Sequence, residues 1–292
     1  MAILNYGSLN LDRAYTVDHF VRPGETLASK RMETFCGGKG LNQSIALAKA
    51  GAQVFHAGKV GRDGAKLKSR LAEFGVDTRF VIESDIPSGH AIIQVNCHTG
   101  ENCILLYGGA NHEITDIEID QALAFFHRGD ILLLQNEINA TSEIMQKAFS
   151  LGLEIAFNPS PIGPEINSMP LSCIRYFLLN EIEGHALTGE TDPEKIAKDL
   201  LSRFPNSVIV LTLGGDGSYY CDKNEAFFEA AVSTNVVDTT GAGDTFTGYF
   251  LSLKMQGRTP KECMHAASLA ASIAVSRKGA SDSIPSRQEL PI

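Results

Sequence analysis

The chain has 292 residues, 43% of them hydrophobic and 20% charged, an ordinary globular composition with enough apolar material for a large core. Its formal net charge of −9 argues against a broad basic face for nucleic acid or for an anionic membrane, but leaves room for a small anionic ligand held by local N–H groups and lysines. No apolar stretch approaches bilayer-spanning length, and Met1-Ala-Ile-Leu-Asn-Tyr-Gly7 lacks a basic segment followed by a sustained apolar run, so a cytoplasmic protein is expected.

In chain order, the first predicted strand is Ile3 to Tyr6, followed over 10–35 by alternating patterns without a long helix. A helix is predicted over 39–50, stopping at Gly51, then a strand from Val54 to Val60. A second helix covers 64–74, with Leu67, Leu71 and Phe74 on one face and Gly75 as its stop. Residues 88–107 break the rhythm again: His90 to Asn96 and Cys103 to Tyr107 alternate around a turn that contains Gly100, the pattern of a β-hairpin. Strands at Ile131 to Leu134, Ile155 to Phe157, Tyr176 to Leu179 and Val208 to Leu213 then interleave with helices over 141–151 and 193–203. A hairpin-like pair, Ser218 to Cys221 and Ala226 to Phe228, precedes helices near 243–256 and 260–276. Alternating strands and amphipathic helices are the mark of βαβ units, so a three-layer α/β/α sandwich is expected. It should form one domain over 1–292, with 10–35 and 88–107 making a small separate sheet that lies as a lid over a substrate crevice.

The six cysteines show no C-x-x-C pair or zinc spacing, and the eight histidines lie in no recognisable triad context. Cys36 alone abuts glycines of a candidate ligand loop, where position rather than nucleophilic catalysis would explain any sensitivity to alkylators.

The chemistry concentrates in two glycine-rich stretches that each open a helix. In Asp238-Thr-Thr-Gly241-Ala-Gly-Asp244 the glycines let successive N–H groups point at one spot before the run of Phe246, Tyr249, Phe250 and Leu253. The helix N-terminus adds positive partial charge there, and Asp244 is placed to take a proton from an attacking hydroxyl, which points to phosphoryl transfer to an alcohol. Read alone, the same stretch is equally a tight turn with an acidic first-turn residue. The second junction, Gly37-Gly-Lys-Gly-Leu-Asn-Gln43, shifts the balance, because two such junctions suggest two ligand faces. Neither is a Walker A loop, and no G-x-G-x-x-G follows the first strand, so P-loop NTPase and dinucleotide-dependent dehydrogenase are disfavoured.

In order along nearly the whole chain, Gly7-Ser-Leu-Asn10-Leu-Asp12, Gly37 to Gln43, Gly108-Gly-Ala-Asn111, Leu134-Gln-Asn-Glu137, Asn158-Pro159, Asn180-Glu-Ile-Glu183, Thr240 to Asp244 and Arg277-Lys-Gly279 resemble the PfkB (ribokinase-like) sugar-kinase family. The resemblance implies an α/β/α sandwich with a β-lid that often makes a homodimer. It implies Asp244 as general base with the Gly241, Ala242 and Gly243 N–H groups as anion hole, and Asn10, Asp12, Gly38, Lys39, Asn42 and Glu137 around a sugar. For the nucleotide side it implies ATP with Mg²⁺ near Asn180 and Glu183, and a contribution from Thr212, Gly214 and Gly217. A K⁺ site formed by Asp238, Thr240, Ala274, Arg277, Gly279 and Ser283 is implied too. Asn180-Glu-Ile-Glu183 also reads as a plain N-capped acidic turn, Asn42 and Lys39 taken singly as solvated first-turn residues, and Asp12 as a turn acid. The expected acceptor is the primary hydroxyl of a pentose, D-ribose first, with 2-deoxyribose, a ketohexose or a nucleoside as alternatives, and a non-catalytic sugar or nucleotide binder as the other class. Ser268 stands where the family places a larger side chain near adenine, and the sequence stops soon after Arg287-Gln-Glu-Leu290, so a looser adenine pocket without a further closing helix is expected.

Overall fold

A computed structural model describes Met1 to Leu290. The strands are β1 (Ile3–Tyr6), β2 (Asn10–Val17), β3 (Arg31–Gly37), β4 (Val54–Gly61), β5 (Asp77–Ser84), β6 (Gly89–Asn96), β7 (Asn102–Tyr107), β8 (Ile131–Gln135), β9 (Glu154–Asn158), β10 (Ile174–Asn180), β11 (Val208–Thr212), β12 (Gly217–Cys221) and β13 (Ala226–Ala230). The helices are α1 (Lys39–Lys49), α2 (Ala65–Glu73), α3 (Asp116–Leu123), α4 (Thr141–Ser150), α5 (Glu181–Thr188), α6 (Pro193–Arg203), α7 (Ala242–Met255) and α8 (Pro260–Val275). One nine-stranded sheet runs β13-β12-β11-β10-β9-β8-β1-β4-β5, parallel from β11 to β5 and antiparallel at the β12–β13 end. The carboxyl ends of its central strands define the crevice where ligands of open α/β sheets bind.

Two apolar layers follow from strand alternation. Ile3, Leu133, Leu178 and Val210 face a core with Leu41, Ile45, Phe250 and Met264 of α1, α7 and α8. Their neighbours Leu4, Leu132, Leu134, Phe177, Leu179 and Ile209 face the opposite core with Ile119, Ile144 and Ile196 of α3, α4 and α6. Buried on both sides, these strands read as continuous apolar runs, and each such side chain contributes roughly 1.5–3 kcal/mol. Helix α7 lies against α1 at unusually close range: a Cβ on Gly248 would stand 2.4 Å from the Ala46 Cβ and 2.7 Å from the Leu47 nitrogen. That approach lets α1 side chains reach the first turn of α7.

The second sheet has the order β3-β2-β6-β7, antiparallel at both edges and parallel between β2 and β6. It is made from the two segments that interrupt the βαβ pattern. All of β7 is exposed, including Ile104, Leu105, Leu106 and Tyr107.

The strands and helices expected from pattern are present within a residue or two of their expected ends, and Gly51, Gly75 and Gly152 adopt the left-handed conformation of helix stops. Three elements carry too little periodicity to be read. Strand β5 is an edge strand whose sequence mixes Asp77, Arg79 and Glu83 among its apolar residues. Helix α3 is eight residues long and declares itself mainly by a capping box between Thr115 and Glu118. Helix α5 carries a glycine, Gly184, in its middle. Among the described residues no helix is long and apolar enough to cross a membrane.

Candidate active site

Two helix N-termini meet at the crevice, each opened by a left-handed glycine with no side-chain cap: Gly38 (φ 93°) before α1 and Gly241 (φ 76°) before α7. Both first turns carry positive partial charge toward the crevice, but in α1 the Lys39, Gly40 and Leu41 N–H groups are already taken by Glu137 and Ser8, so free donors remain only at the start of α7. The Ala242 N–H already donates to the Thr239 carbonyl at 3.2 Å, so the Gly241 and Gly243 N–H groups are the ones left to meet an anion. Asp244 stands in this first turn, only 8% exposed. Asn42 Nδ2 donates to its Oδ2 at 3.0 Å and Gln43 Nε2 to its Oδ1 at 2.9 Å, across about 200 residues of sequence.

A cavity of about 240 Å³ lies in front of these turns, lined among others by Lys39, Asn158, Asn180, Glu183, Thr212, Thr239, Gly241, Ala242, Gly243, Asp244 and Thr247. Burial opposes the charge on Lys39, but the carboxylates of Asp244, Glu137 and Glu183 outweigh it and hold its pKa above the usual lysine value. Asn180 caps α5: its Oδ1 accepts from the Glu183 N–H at 2.9 Å, and Glu183 Oε2 accepts from the Asn180 N–H at 3.0 Å. The plain capping motif and the cavity position are therefore the same residues, and burial raises the Glu183 carboxyl above its ordinary range.

On the opposite side, Glu137 accepts from the Lys39 N–H at 3.0 Å and from the Ser8 hydroxyl, while burial pushes its carboxyl up. Asn10 Oδ1 accepts from Asn111 Nδ2 at 2.8 Å, and Asn111 Oδ1 accepts from the Leu9 N–H at 3.0 Å. This pins the start of the small sheet. Asp12 is pushed up to about 6, first by burial and then by the Glu137 charge. Two acceptors here, Asp12 Oδ1 and Asn42 Oδ1, are buried without a donor, a costly condition in a folded protein.

The family model described as "pfkB family carbohydrate kinase" matches residues 2–287. The chain belongs to that family. It is a carbohydrate kinase, hence a phosphotransferase. It is 34% identical to the ribokinase of Haemophilus influenzae, over 97% of this chain and 95% of that one. It is 31% identical to the deoxyribokinase of Salmonella typhi, over 99% and 97%. The structure of Arabidopsis thaliana ribokinase complexed with ribose and ATP superposes with a TM-score of 0.84 at 29% identity, covering 99% of this chain and 97% of that one. The α/β sandwich expected from the pattern, ribokinase-like as the resemblance implied, is the fold of this kinase.

Other residues of the kinase expected at the site divide between neighbourhoods. Asp238, Thr240 and Gly279 are hydrogen-bonded together beside the end of α8, where Ala274 accepts from the Arg277 N–H, while Ser283 bonds back to Ala280 in the loop that follows. There Asp238 Oδ1 accepts from Thr240 N–H (2.9 Å) and hydroxyl (2.7 Å), and its Oδ2 accepts from Gly279 N–H (2.9 Å). Burial opposes the Asp238 charge, but these bonds hold its carboxyl below the ordinary range. The Arg277 guanidinium turns away to Glu289 at 2.6 Å. Gly214 and Gly217 lie beyond Thr212, outside the cavity lining. Gly217 has a reason of its own: a Cβ there would stand 2.2 Å from the Glu229 carbonyl across the β12–β13 hairpin. Burial raises the Cys36 thiol, which disfavours the reactive thiolate.

Sequence reasoning did not single out Ser8, Gln43, Asn111, Gln135 or Asn158 as individual site residues, although all lie in or beside the motifs. Their signal was an excess of Asn and Gln beside apolar runs that should be buried. Nor did cysteine and histidine spacing reveal Asp18, Cys97 and His98, whose ligand atoms lie within 4.8 Å of one another at the exposed end of the small sheet. Lys30 Nζ already sits 2.5 Å from Asp18 in that cluster.

Proposed function

We propose that this kinase transfers the γ-phosphate of ATP to the primary 5-hydroxyl of D-ribose. The observation that carries the reading is the pair of donorless buried acceptors, Asn42 Oδ1 on the side chain that holds Asp244 and Asp12 Oδ1 beside Glu137. Sugar hydroxyls are the donors such atoms lack, and a cage of paired polar groups discriminates strongly between hydroxyl patterns. The Haemophilus ribokinase and the Arabidopsis ribose and ATP complex support the same pair of substrates.

In this reading Asn10, Asp12, Gly38, Lys39, Asn42 and Glu137 hold the sugar. Asp244 takes the proton of the 5-hydroxyl as that oxygen attacks the γ-phosphorus and the bond to the ADP oxygen breaks. The Gly241 and Gly243 N–H groups and the N-terminal field of α7 stabilise the charge that develops on the phosphoryl oxygens. Lys39, on the same cavity wall, adds a cation between the two substrates. Thr212 and the open Gly214 turn receive the nucleotide, with Gly217 shaping the hairpin behind it.

Asn180 and Glu183 fit a hydrated Mg²⁺, since both face the cavity while their capping bonds keep the carboxylate in place. That ion would neutralise phosphate charge. Asp238, held below its ordinary pKa, fits K⁺ together with Thr240 and the loop of Ala274, Arg277, Gly279 and Ser283. There the cation would brace the turn that carries the anion hole. We read the chain as one domain with the small sheet as its lid, and the exposed apolar strand β7 as a homodimer contact. A cytoplasmic setting suits the use of ATP.

The deoxyribokinase relative favours one competing acceptor, 2-deoxyribose. Coupled ADP release across ribose, 2-deoxyribose, fructose, ribulose and nucleosides tests the choice. A kcat/KM for ribose at least tenfold above the others is expected. A preference for 2-deoxyribose would overturn the ribose assignment, and no turnover of any member would overturn the kinase reading for these sugars.

A further inference from the structure

Behind Asp244 lies a buried chain of amides that no sugar or nucleotide contact requires. Asn5, Gln43 and Ser44 are 0% exposed and Gln135 is 1% exposed. Asn5 Nδ2 donates to the Gly40 carbonyl and to the Ser44 hydroxyl, each at 2.8 Å. A backbone carbonyl can only accept, so Asn5 must turn its oxygen the other way. Gln135 Nε2 donates to that oxygen at 2.9 Å and to Gln43 Oε1 at 2.7 Å. Gln43 is thereby left with its NH₂ group toward Asp244.

A second anchor forces the same answer. Asn158 Nδ2 donates to the Leu178 carbonyl at 2.8 Å, which turns Asn158 Oδ1 toward Gln43 Nε2 at 3.2 Å. From both ends, a carbonyl that cannot donate dictates the orientation of every amide between it and the carboxylate. Gln135 Oε1 is left buried without a donor, and flipping that amide would set its oxygen against those of Asn5 and Gln43. An unsatisfied buried acceptor is costly in a folded protein. The chain tolerates that cost in return for a fixed polarity.

We infer that Gln43 is a positioning residue for the reaction: the carbonyl-anchored relay Asn5–Gln135–Gln43, supported by Asn158, fixes one oxygen of Asp244 while Asn42 holds the other. The inference rests on the reading of Asp244 as general base and adds the element that aims it. Two N–H donors, one on each oxygen, hold the carboxylate plane against rotation and keep its remaining lone pairs toward the cavity. Rotational freedom at a proton acceptor is lost reactivity, since transfer needs the acceptor within hydrogen-bonding reach and aligned.

The test is a cycle of kinetic measurements on the intact enzyme with ribose and MgATP. Gln43→Leu is expected to lower kcat ten- to a hundredfold with both KM values within about threefold of wild type. In the Asp244→Asn background the same change should have no further effect on the residual single-turnover rate, because Gln43 acts only through that carboxylate. Gln43→Glu keeps the side-chain shape and covers the case in which leucine disturbs folding. A second carboxyl beside Asp244 should move the acidic limb of the kcat–pH profile up by at least about one unit, as like charges disfavour ionisation.

A Gln43→Leu enzyme with wild-type kcat, or a Gln43→Glu enzyme with an unmoved acidic limb, would overturn the inference while leaving Asp244 as base. Wild-type turnover by Asp244→Asn would instead overturn the base itself.

Discussion

Replacing Asp12 with asparagine should make the unliganded kinase more stable at neutral pH and weaken its hold on sugar. The carboxyl of Asp12 is pushed up to about 6, chiefly by burial and then by Glu137, so the folded state resists its ionisation. A displacement from the ordinary 3.8 to about 6 corresponds to about 3 kcal/mol, at roughly 1.4 kcal/mol per pH unit. That figure is a ceiling, because asparagine keeps a buried oxygen and adds an NH₂ group to satisfy. The folded pKa lies above the unfolded one. The penalty is therefore absent at low pH, grows as pH rises between roughly 4 and 6, and is fully present above that range. Asparagine escapes it. Scanning calorimetry at several values from about pH 4.5 to 7.5 should show the stability gap widening by up to about 2 kcal/mol, or several degrees in Tm. Saturating ribose should raise Tm more for the wild type than for the variant, since the ionised carboxylate is the better acceptor for a sugar hydroxyl. A gap that does not change with pH, or a variant less stable than wild type at pH 7, would refute the reasoning.

Three further outcomes are expected. Potassium at matched ionic strength should raise kcat over sodium, and equal rates in the two salts would remove the cation from the neighbourhood of Asp238 and Gly279. Leu105→Glu on the exposed strand β7 should convert a dimer to a monomer in light scattering, and an unchanged mass would move the contact elsewhere. Gly248→Ala should destabilise the protein by about 1–3 kcal/mol in denaturant melts, because its Cβ would meet Ala46 and the Leu47 backbone; unchanged stability would mean α1 and α7 have slack.

Much of this was legible in the sequence, and the limits have physical causes. The parallel strands of the large sheet are buried on both faces, so runs such as Ile131-Leu-Leu-Leu134 stood out, and the glycines at 51, 75 and 152 marked helix ends. The small sheet showed itself as alternation without helices. Strand β5 and helices α3 and α5 were missed because charge, brevity or an interior glycine masks their periodicity. At the site, the two glycine-opened helices and Asp244 could be read because local backbone geometry demands glycine there. The relay through Asn5, Gln135 and Asn158 could not, because with its Leu178 anchor it exists only when four strands and two helices assemble, and a lone amide in sequence carries no sign of its partner. The division of labour between Gly217, which serves the hairpin, and Thr212, which faces the cavity, needed the third dimension for the same reason.

The most direct test of the account is the Asp244→Asn enzyme, with ribose affinity measured by calorimetry and phosphoryl transfer by single-turnover kinetics on the same preparation. Ribose binding within a few fold of wild type is expected, with a transfer rate lower by about 10²–10⁴, the range for loss of a general base. Transfer within tenfold of the wild-type rate would contradict it.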